Sequence, residues 1–240
     1  MNGGRRGLLV PGAFALLGLV VLLGLGVWQI ERKAWKEGLI ETLAQRLAAD
    51  PVALPPRGAW ARLTPENAEF RRVRLRIQPS ADDALVYTSG SALRDDVKAP
   101  GYFVFTPARL PEGGIVVVNR GYVPSRSYPR LEGAQDIVGS LRWPEAPSWF
   151  VTDRDSSGIW TVRDPVAMAR AKGWGEVTPF YVEQEAPVPP GGLPHPAALN
   201  VRLRNDHLQY ALTWFGLAAV LAVMFAIWAV RRRQDEPTGP

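Results

Sequence analysis

The chain has 240 residues, no cysteine, two histidines (His195 and His207), three methionines and a formal net charge of +5. That length holds one globular domain plus membrane segments, and the lack of thiols excludes disulfides, thiolate metal sites, c-type haem attachment and a cysteine nucleophile. A multi-histidine or Met-rich metal cluster cannot be built from so few ligands. The tails hold five arginines against two acids, so the rest of the chain lacks the basic charge of a nucleic-acid binder.

Residues 1–7 form a short tail carrying Arg5 and Arg6, and residues 8–27 contain no charge. At about 1.5 Å per residue, some 20 apolar residues cross a hydrocarbon core of roughly 30 Å. With Trp28 as its outer aromatic boundary, the first span is residues 8–28. A cleaved signal peptide is the alternative, with Gly24 and Gly26 imitating a cleavage site. The run is longer than a usual signal core, however, and a polar helix follows it directly. That helix is predicted over 31–50, with Trp35, Leu39, Leu43 and Leu47 on one stripe, and Pro51 stops it.

Residues 29–207 are predicted to form a β-rich domain. After a proline-rich linker at 52–60, the period changes to two. Arg72, Arg74 and Arg76 alternate with Val73, Leu75 and Ile77, as in a half-buried strand with a solvated face. Further strands are expected at 84–88, 102–107, 115–119, 137–141, 180–184 and 199–204. One helix is expected near 165–172, with Asp164 as N-cap, Pro165 at the first position and Gly173 as C-terminal cap. Residues 187–196 read as a loop. The expected fold class is α+β: two transmembrane helices flanking a mainly antiparallel β-barrel or sandwich with one or two helices.

Two motifs stand out in this domain. The run Val118, Asn119, Arg120, Gly121, Tyr122, Val123, Pro124 falls where the 115–119 strand should end. It reads as a turn, with Gly121 supplying unusual backbone angles. The alternative is an exposed docking loop in which Arg120, Gly121 and Tyr122 contact a partner. Asp153, Asp155 and residues 156–158 have turn chemistry but not the spacing of a calcium loop.

Residues 208–230 form a second uncharged span, and 231–240 a tail opening with three arginines. Arginines at both tails put both termini on the cytoplasmic side and the domain outside. His207 opens this span. At about 100° per residue, Ala211, Trp214, Ala218 and Ala222 fall within roughly 60° of it. Ala218, Ala222 and Ala226 permit close approach of the first span, where Gly18, Gly24 and Gly26 offer room. Trp28 and Gln29 would then face His207 and Trp214, with Tyr210 at the same boundary. An aromatic, partly dry cleft with one imidazole suits a porphyrin held by an axial bond. The alternative is an interfacial histidine that caps its helix or bonds a headgroup. Arg202 and Arg204, just before the span, would lie near headgroups or acidic groups of a membrane partner. Motifs for serine-hydrolase, zinc-protease and P-loop chemistry are absent, so no catalytic residue is expected.

Several segments together carry a resemblance. Leu25, Gly26, Val27, Trp28 and Gln29 are followed by Arg32, Lys36, Leu39 and Ile40. Gly101, Tyr102, Phe103, Val104, Phe105, Thr106 and Pro107 come next, then the Asn119-Arg120-Gly121-Tyr122 run. Last is the stretch from Leu203 through Asp206, His207, Tyr210 and Trp214 to Gly216. This pattern resembles the surfeit locus protein 1 family of cytochrome c oxidase assembly factors. The resemblance implies a non-enzymatic role in assembling haem–copper oxidase, when haem a enters the catalytic subunit. It implies haem a as cofactor, with His207 as iron ligand; the helical geometry above sets Trp28, Gln29, Tyr210 and Trp214 around it, and Arg204, toward the aqueous side, would pair with its propionates. The implied partners are the catalytic subunit or an assembly intermediate, membrane lipid and a haem a synthesis enzyme. The alternative is a ligand-free scaffold that stabilises an oxidase intermediate. The short amino-terminal tail points to a bacterial inner membrane, with the domain in the periplasm.

Overall fold

The computed structural model describes residues 3–130, 133–144, 154–155, 157–200 and 205–234, without the side chains of residues 3–8 and 233. The chain divides into two compact units, residues 1–41 with 203–240 and residues 42–202.

The first unit is built from two helices. Helix α1, Gly3–Ala48, is continuous, so the predicted span and the predicted polar helix are one element. Helix α4 is His207–Gln234. Both are long and apolar enough to cross a membrane, and only 11% and 6% of their most apolar windows are buried within the protein. Leu9, Phe14, Leu16, Leu212, Val220 and Met224 all face outward, the arrangement of helices solvated by lipid.

The contact between α1 and α4 differs in detail from the expected glycine and alanine rows. A Cβ on Gly26 would meet the Phe215 ring at 2.4 Å, one on Gly18 would meet Leu221 at 2.9 Å, and one on Gly12 would meet Phe225 at 3.5 Å. Gly24 has nothing within 4 Å. On α4, Ala211 and Ala218 are buried, whereas Ala222 and Ala226 are exposed. The reason is helical geometry. Steps of four drift by about 40° each, so the row 218, 222, 226 leaves the interface, while steps of seven drift by only about 20°. The contacts are aromatic and leucine side chains of α4 set against small residues of α1.

The second unit is a sheet with short helices. In chain order it contains β1 (Val52–Ala53), a 3-10 helix (Arg57–Arg62), α2 (Pro65–Ala68), β2 (Arg72–Pro79), β3 (Ala84–Thr88) and β4 (Gly101–Arg109). β5 (Ile115–Val123), β6 (Gln135–Arg142), α3 (Pro165–Lys172) and β7 (Val177–Ala186) follow. The strand order is β1-β2-β6-β7-β5-β4-β3, and β2 also pairs with β4 through Gln78 and Pro79. Five strands (β2, β6, β7, β5 and β4) therefore hydrogen-bond in a circuit. The expected linker at 52–60 contains β1 and the start of the 3-10 helix. Of the expected 199–204 strand, residues 201–204 lie outside the described residues, and Asn200 bonds Leu93 and Asp95 without joining a strand.

The sheet is mixed, not mainly antiparallel: β1 runs parallel to β2, and β7 runs parallel to β5. β5 and β6 run in opposite directions, and β7 is inserted between them. A strand so placed must run parallel to one neighbour. The long β6–β7 connection, which includes α3, makes that return possible.

Both faces of the central strands are covered. Val116 and Val118 of β5 and Phe180 and Val182 of β7 join one apolar cluster with Leu75, Ile77, Trp60 and Trp143. Val117 and Tyr181 join a second with Phe103, Phe105, Trp160 and Met168. Phe180 is fully buried, edge-on to Trp60 at 6.2 Å and 5.4 Å from Trp143. α3 begins and ends as predicted: the Asp164 carboxylate accepts from Val166 N and Ala167 N, and Gly173 is left-handed.

The β2 arginines are not simply solvated. Arg72 pairs with Glu185 and donates to Ala49 O, Arg74 donates to Pro51 O, and Arg76 pairs with Asp136. Arg46 donates to Glu66 O and Glu69 O. These bonds tie the C-terminal end of α1 and the segment after it to the sheet, satisfying carbonyls that the helix leaves open.

Candidate functional site

The candidate site lies in the two-helix unit. His207 is the first residue of α4, and its Nδ1 lies 2.7 Å from Oε1 of Gln29 on α1. Both side chains are half-buried. With the Gln29 carbonyl oxygen as acceptor, the imidazole proton sits on Nδ1 and the lone pair on Nε2. Nε2 has no hydrogen-bond partner among the described residues. One nitrogen is thus engaged, and the other keeps its lone pair.

The other expected site residues lie near this pair in sequence. Trp28 and Tyr210 are 52% and 55% exposed, so each offers an aromatic face. Trp214 is half-buried one turn beyond Ala211, which is buried. Arg204 lies outside the described residues, as does Arg202. The Asn205 side-chain oxygen, two residues before His207, is buried with no partner among the described residues, and sequence reasoning gave it no role. Its only advance signal was its place in the Asn205-Asp206-His207 run. Asp206 adjoins His207 in sequence, but the ring bonds Gln29.

Among the described residues no group of three His, Cys, Asp or Glu could hold a bare metal ion. An iron porphyrin needs less, since its macrocycle supplies four nitrogens and the protein one axial donor. An Nε2 lone pair with a fixed partner on Nδ1, and exposed indole and phenol rings at Trp28 and Tyr210, fit that need. Met224 is deep in α4, about 25 Å along the helix from His207, too far to bind the same iron.

The motif at Arg120, Gly121 and Tyr122 lies elsewhere, in the sheet unit, and it is not an exposed loop. It sits inside β5, which runs on to Val123. Phe105 pairs with Asn119 and Phe103 with Tyr122, so Arg120 and Gly121 together oppose Val104 as a bulge. Asn119 is buried; its Nδ2 donates to Glu183 at 2.9 Å, and its oxygen accepts from Gly121 N. Gly121 has φ +115°, and a Cβ there would lie 2.1 Å from His195 O. Tyr122 exchanges backbone bonds with His195 at 3.0 and 2.8 Å and stacks edge-on to Phe103.

Arg120 is 4% exposed, and its Nε and Nη2 have no partner among the described residues. Burial lowers its pKa, against the opposing pull of Asp83. Asp83 accepts from Thr106 Oγ1 at 2.5 Å and from the Tyr128 hydroxyl at 2.8 Å. Burial, then the Asp83 charge, push the Tyr128 phenol up. A guanidinium so enclosed is not a surface contact, which corrects the docking-loop expectation for Arg120. Its signal was present but ambiguous, because Asn-Arg-Gly has the composition of a turn.

Known proteins share this chain's pattern over nearly its whole length. Residues 16–219 match the SURF1 family. The SURF1-like protein of Monosiga brevicollis is 32% identical over 92% of this chain and 87% of its own. Surfeit locus protein 1 of Takifugu rubripes is 32% identical over 88% of this chain and 94% of its own. The Homo sapiens protein of that name is 31% identical over 86% of this chain and 73% of its own. With the family matched from the first span through the start of the second, the chain belongs to the SURF1 family.

Proposed function

We propose that this chain is an assembly factor for haem–copper cytochrome c oxidase, and that it holds haem a through His207 for delivery to the catalytic subunit. Family membership supports the assembly role. The observation that carries the haem reading is the His207–Gln29 bond at 2.7 Å, which leaves the lone pair on Nε2 where α4 begins. Haem, when bound there, would supply the cargo for oxidase maturation and no reaction on this chain. Trp28, Tyr210 and Trp214 would pack against the macrocycle, and Arg204 would pair with its propionates. The chain acts as a carrier and not as an enzyme. Its setting is the bacterial inner membrane, with both termini cytoplasmic and the sheet unit in the periplasm. Its partners are the oxidase catalytic subunit or an assembly intermediate, surrounding lipid, and an enzyme that makes haem a.

The test compares haem content and visible spectrum of wild type and His207→Ala, purified in detergent from cells that make haem a. Loss of most bound haem with retained membrane insertion is expected. Equal content and an unchanged spectrum would remove the ligand role and leave a ligand-free scaffold for an oxidase intermediate.

A further inference from the structure

We propose that Gln29 is the positioning residue for His207: it fixes the ring as the Nδ1–H tautomer, aims Nε2 outward, and keeps the axial bond weak enough for the cargo to be given up. This rests on the reading of His207 as a haem ligand.

The geometry comes first. The two residues are 178 apart in sequence and sit on different helices, yet their side chains meet at 2.7 Å. That meeting depends on how α1 and α4 pack, which the contacts of Gly26 with Phe215, Gly18 with Leu221 and Gly12 with Phe225 determine. A neutral imidazole carries one ring proton. An acceptor at Nδ1 places it there and leaves the lone pair on Nε2. Without that acceptor the ring is free to carry the proton on Nε2 instead, and such a ring cannot ligate until it rearranges.

The chemistry of the acceptor comes second. A ligating histidine commonly donates its second N–H to a carboxylate, a backbone carbonyl or water, and the partner raises the basicity of the ligand. A carboxylate acceptor does this most, because hydrogen bonds to ionised groups are about twice as strong as neutral ones. Here the acceptor is a neutral amide. It orients the ring without drawing the Nδ1 proton far, so Nε2 remains an ordinary imidazole donor. A carrier needs this compromise, since a stronger iron bond would slow transfer to the oxidase. Because the pair bridges two helices, parting α1 from α4 removes the orienter and would ease release further.

The experiment uses the full chain in detergent as wild type, Gln29→Leu, Gln29→Glu and His207→Ala, with haem a extracted from cytochrome oxidase as the probe. Three readouts are taken: the ring tautomer of the haem-free protein by 15N NMR on histidine-labelled samples, the iron–imidazole stretch by resonance Raman, and the rate of transfer to apomyoglobin. His195 is the only other histidine, so the NMR assignment is direct. Gln29→Leu should mix the tautomers, lower the stretching frequency and weaken retention by about 10- to 100-fold, the usual range for losing such a partner. Gln29→Glu, which preserves size, should raise the frequency and slow transfer by about tenfold. If His207→Ala binds haem a as wild type does, the ligand reading itself fails. If His207→Ala loses haem a while both Gln29 variants keep the wild-type tautomer, frequency and transfer rate, the ligand stands and the role of Gln29 is refuted.

Discussion

Replacing Gly121 by alanine should damage the sheet unit more than any nearby glycine substitution. Two costs add. An alanine at φ +115° occupies a region that L-residues rarely adopt, at about 1–3 kcal/mol. Its Cβ would also lie 2.1 Å from His195 O and 2.5 Å from Pro196 N. Backbone atoms must therefore retreat by close to an ångström. That movement breaks the two bonds between Tyr122 and His195, worth about 0.5–1.5 kcal/mol each. The sum is roughly 2–6 kcal/mol, which for a domain of this size lowers Tm by about 4–24 °C. Gly113→Ala is the control, because it has φ +90° but nothing within 4 Å of its Cβ. It should show the backbone cost alone, about 1–3 kcal/mol. The assay is thermal unfolding of both variants in detergent, followed by near-UV circular dichroism. A Gly121→Ala protein no less stable than Gly113→Ala would refute the close-approach argument.

Two other outcomes follow from the structure. Arg72 and Glu185 form a two-point pair with side chains about one-fifth exposed. Arg72→Met or Glu185→Leu alone should cost roughly 2 kcal/mol by stranding the partner, while the double variant should lose clearly less than the sum; additive losses in a double-mutant cycle by denaturant unfolding would dismiss the coupling. The arginine-flanked spans predict that, in intact cells, a membrane-impermeant thiol reagent labels Ser125→Cys and not Pro237→Cys, against a chain with no native cysteine. The opposite labelling pattern would invert the orientation.

How much was legible depended on what each sequence signal reports. The bounds of β3 and α3 match expectation because alternation, an N-cap and a C-terminal glycine are all local. β5 was cut short at Asn119 because Asn-Arg-Gly has turn chemistry, and nothing local shows that Gly121 serves a bulge against His195. Parallel pairing of β5 with β7 was invisible for a different reason. Alternation tells which side of a strand is buried but not which strand lies beside it. The same limit applied to the spans. Sequence set Gln29 opposite His207, and their hydrogen bond shows that the two side chains meet. The fit of Phe215 against Gly26 needed the true angular drift of the helix.

The arginines carry this reasoning furthest. Arg74, Arg76 and Arg120 all stand in strands, yet two are exposed and one is enclosed. Val116, Val117 and Val118 are all buried, so alternation around Arg120 is lost and its side could not be read from the pattern. Burying a guanidinium costs several kcal/mol unless charge and hydrogen bonds offset it. Asp83 supplies the charge, while the hydroxyls of Thr106 and Tyr128 hold that carboxylate in place. An expense of that size for one residue, beside a glycine that admits no Cβ and an asparagine bonded to a buried glutamate, fits a motif that joins β4, β5, β7 and the 195–196 segment. The distinctive residues of the sheet unit then build its frame. His207, in the two-helix unit, differs: Gln29 engages one ring nitrogen, and the other has no partner among the described residues.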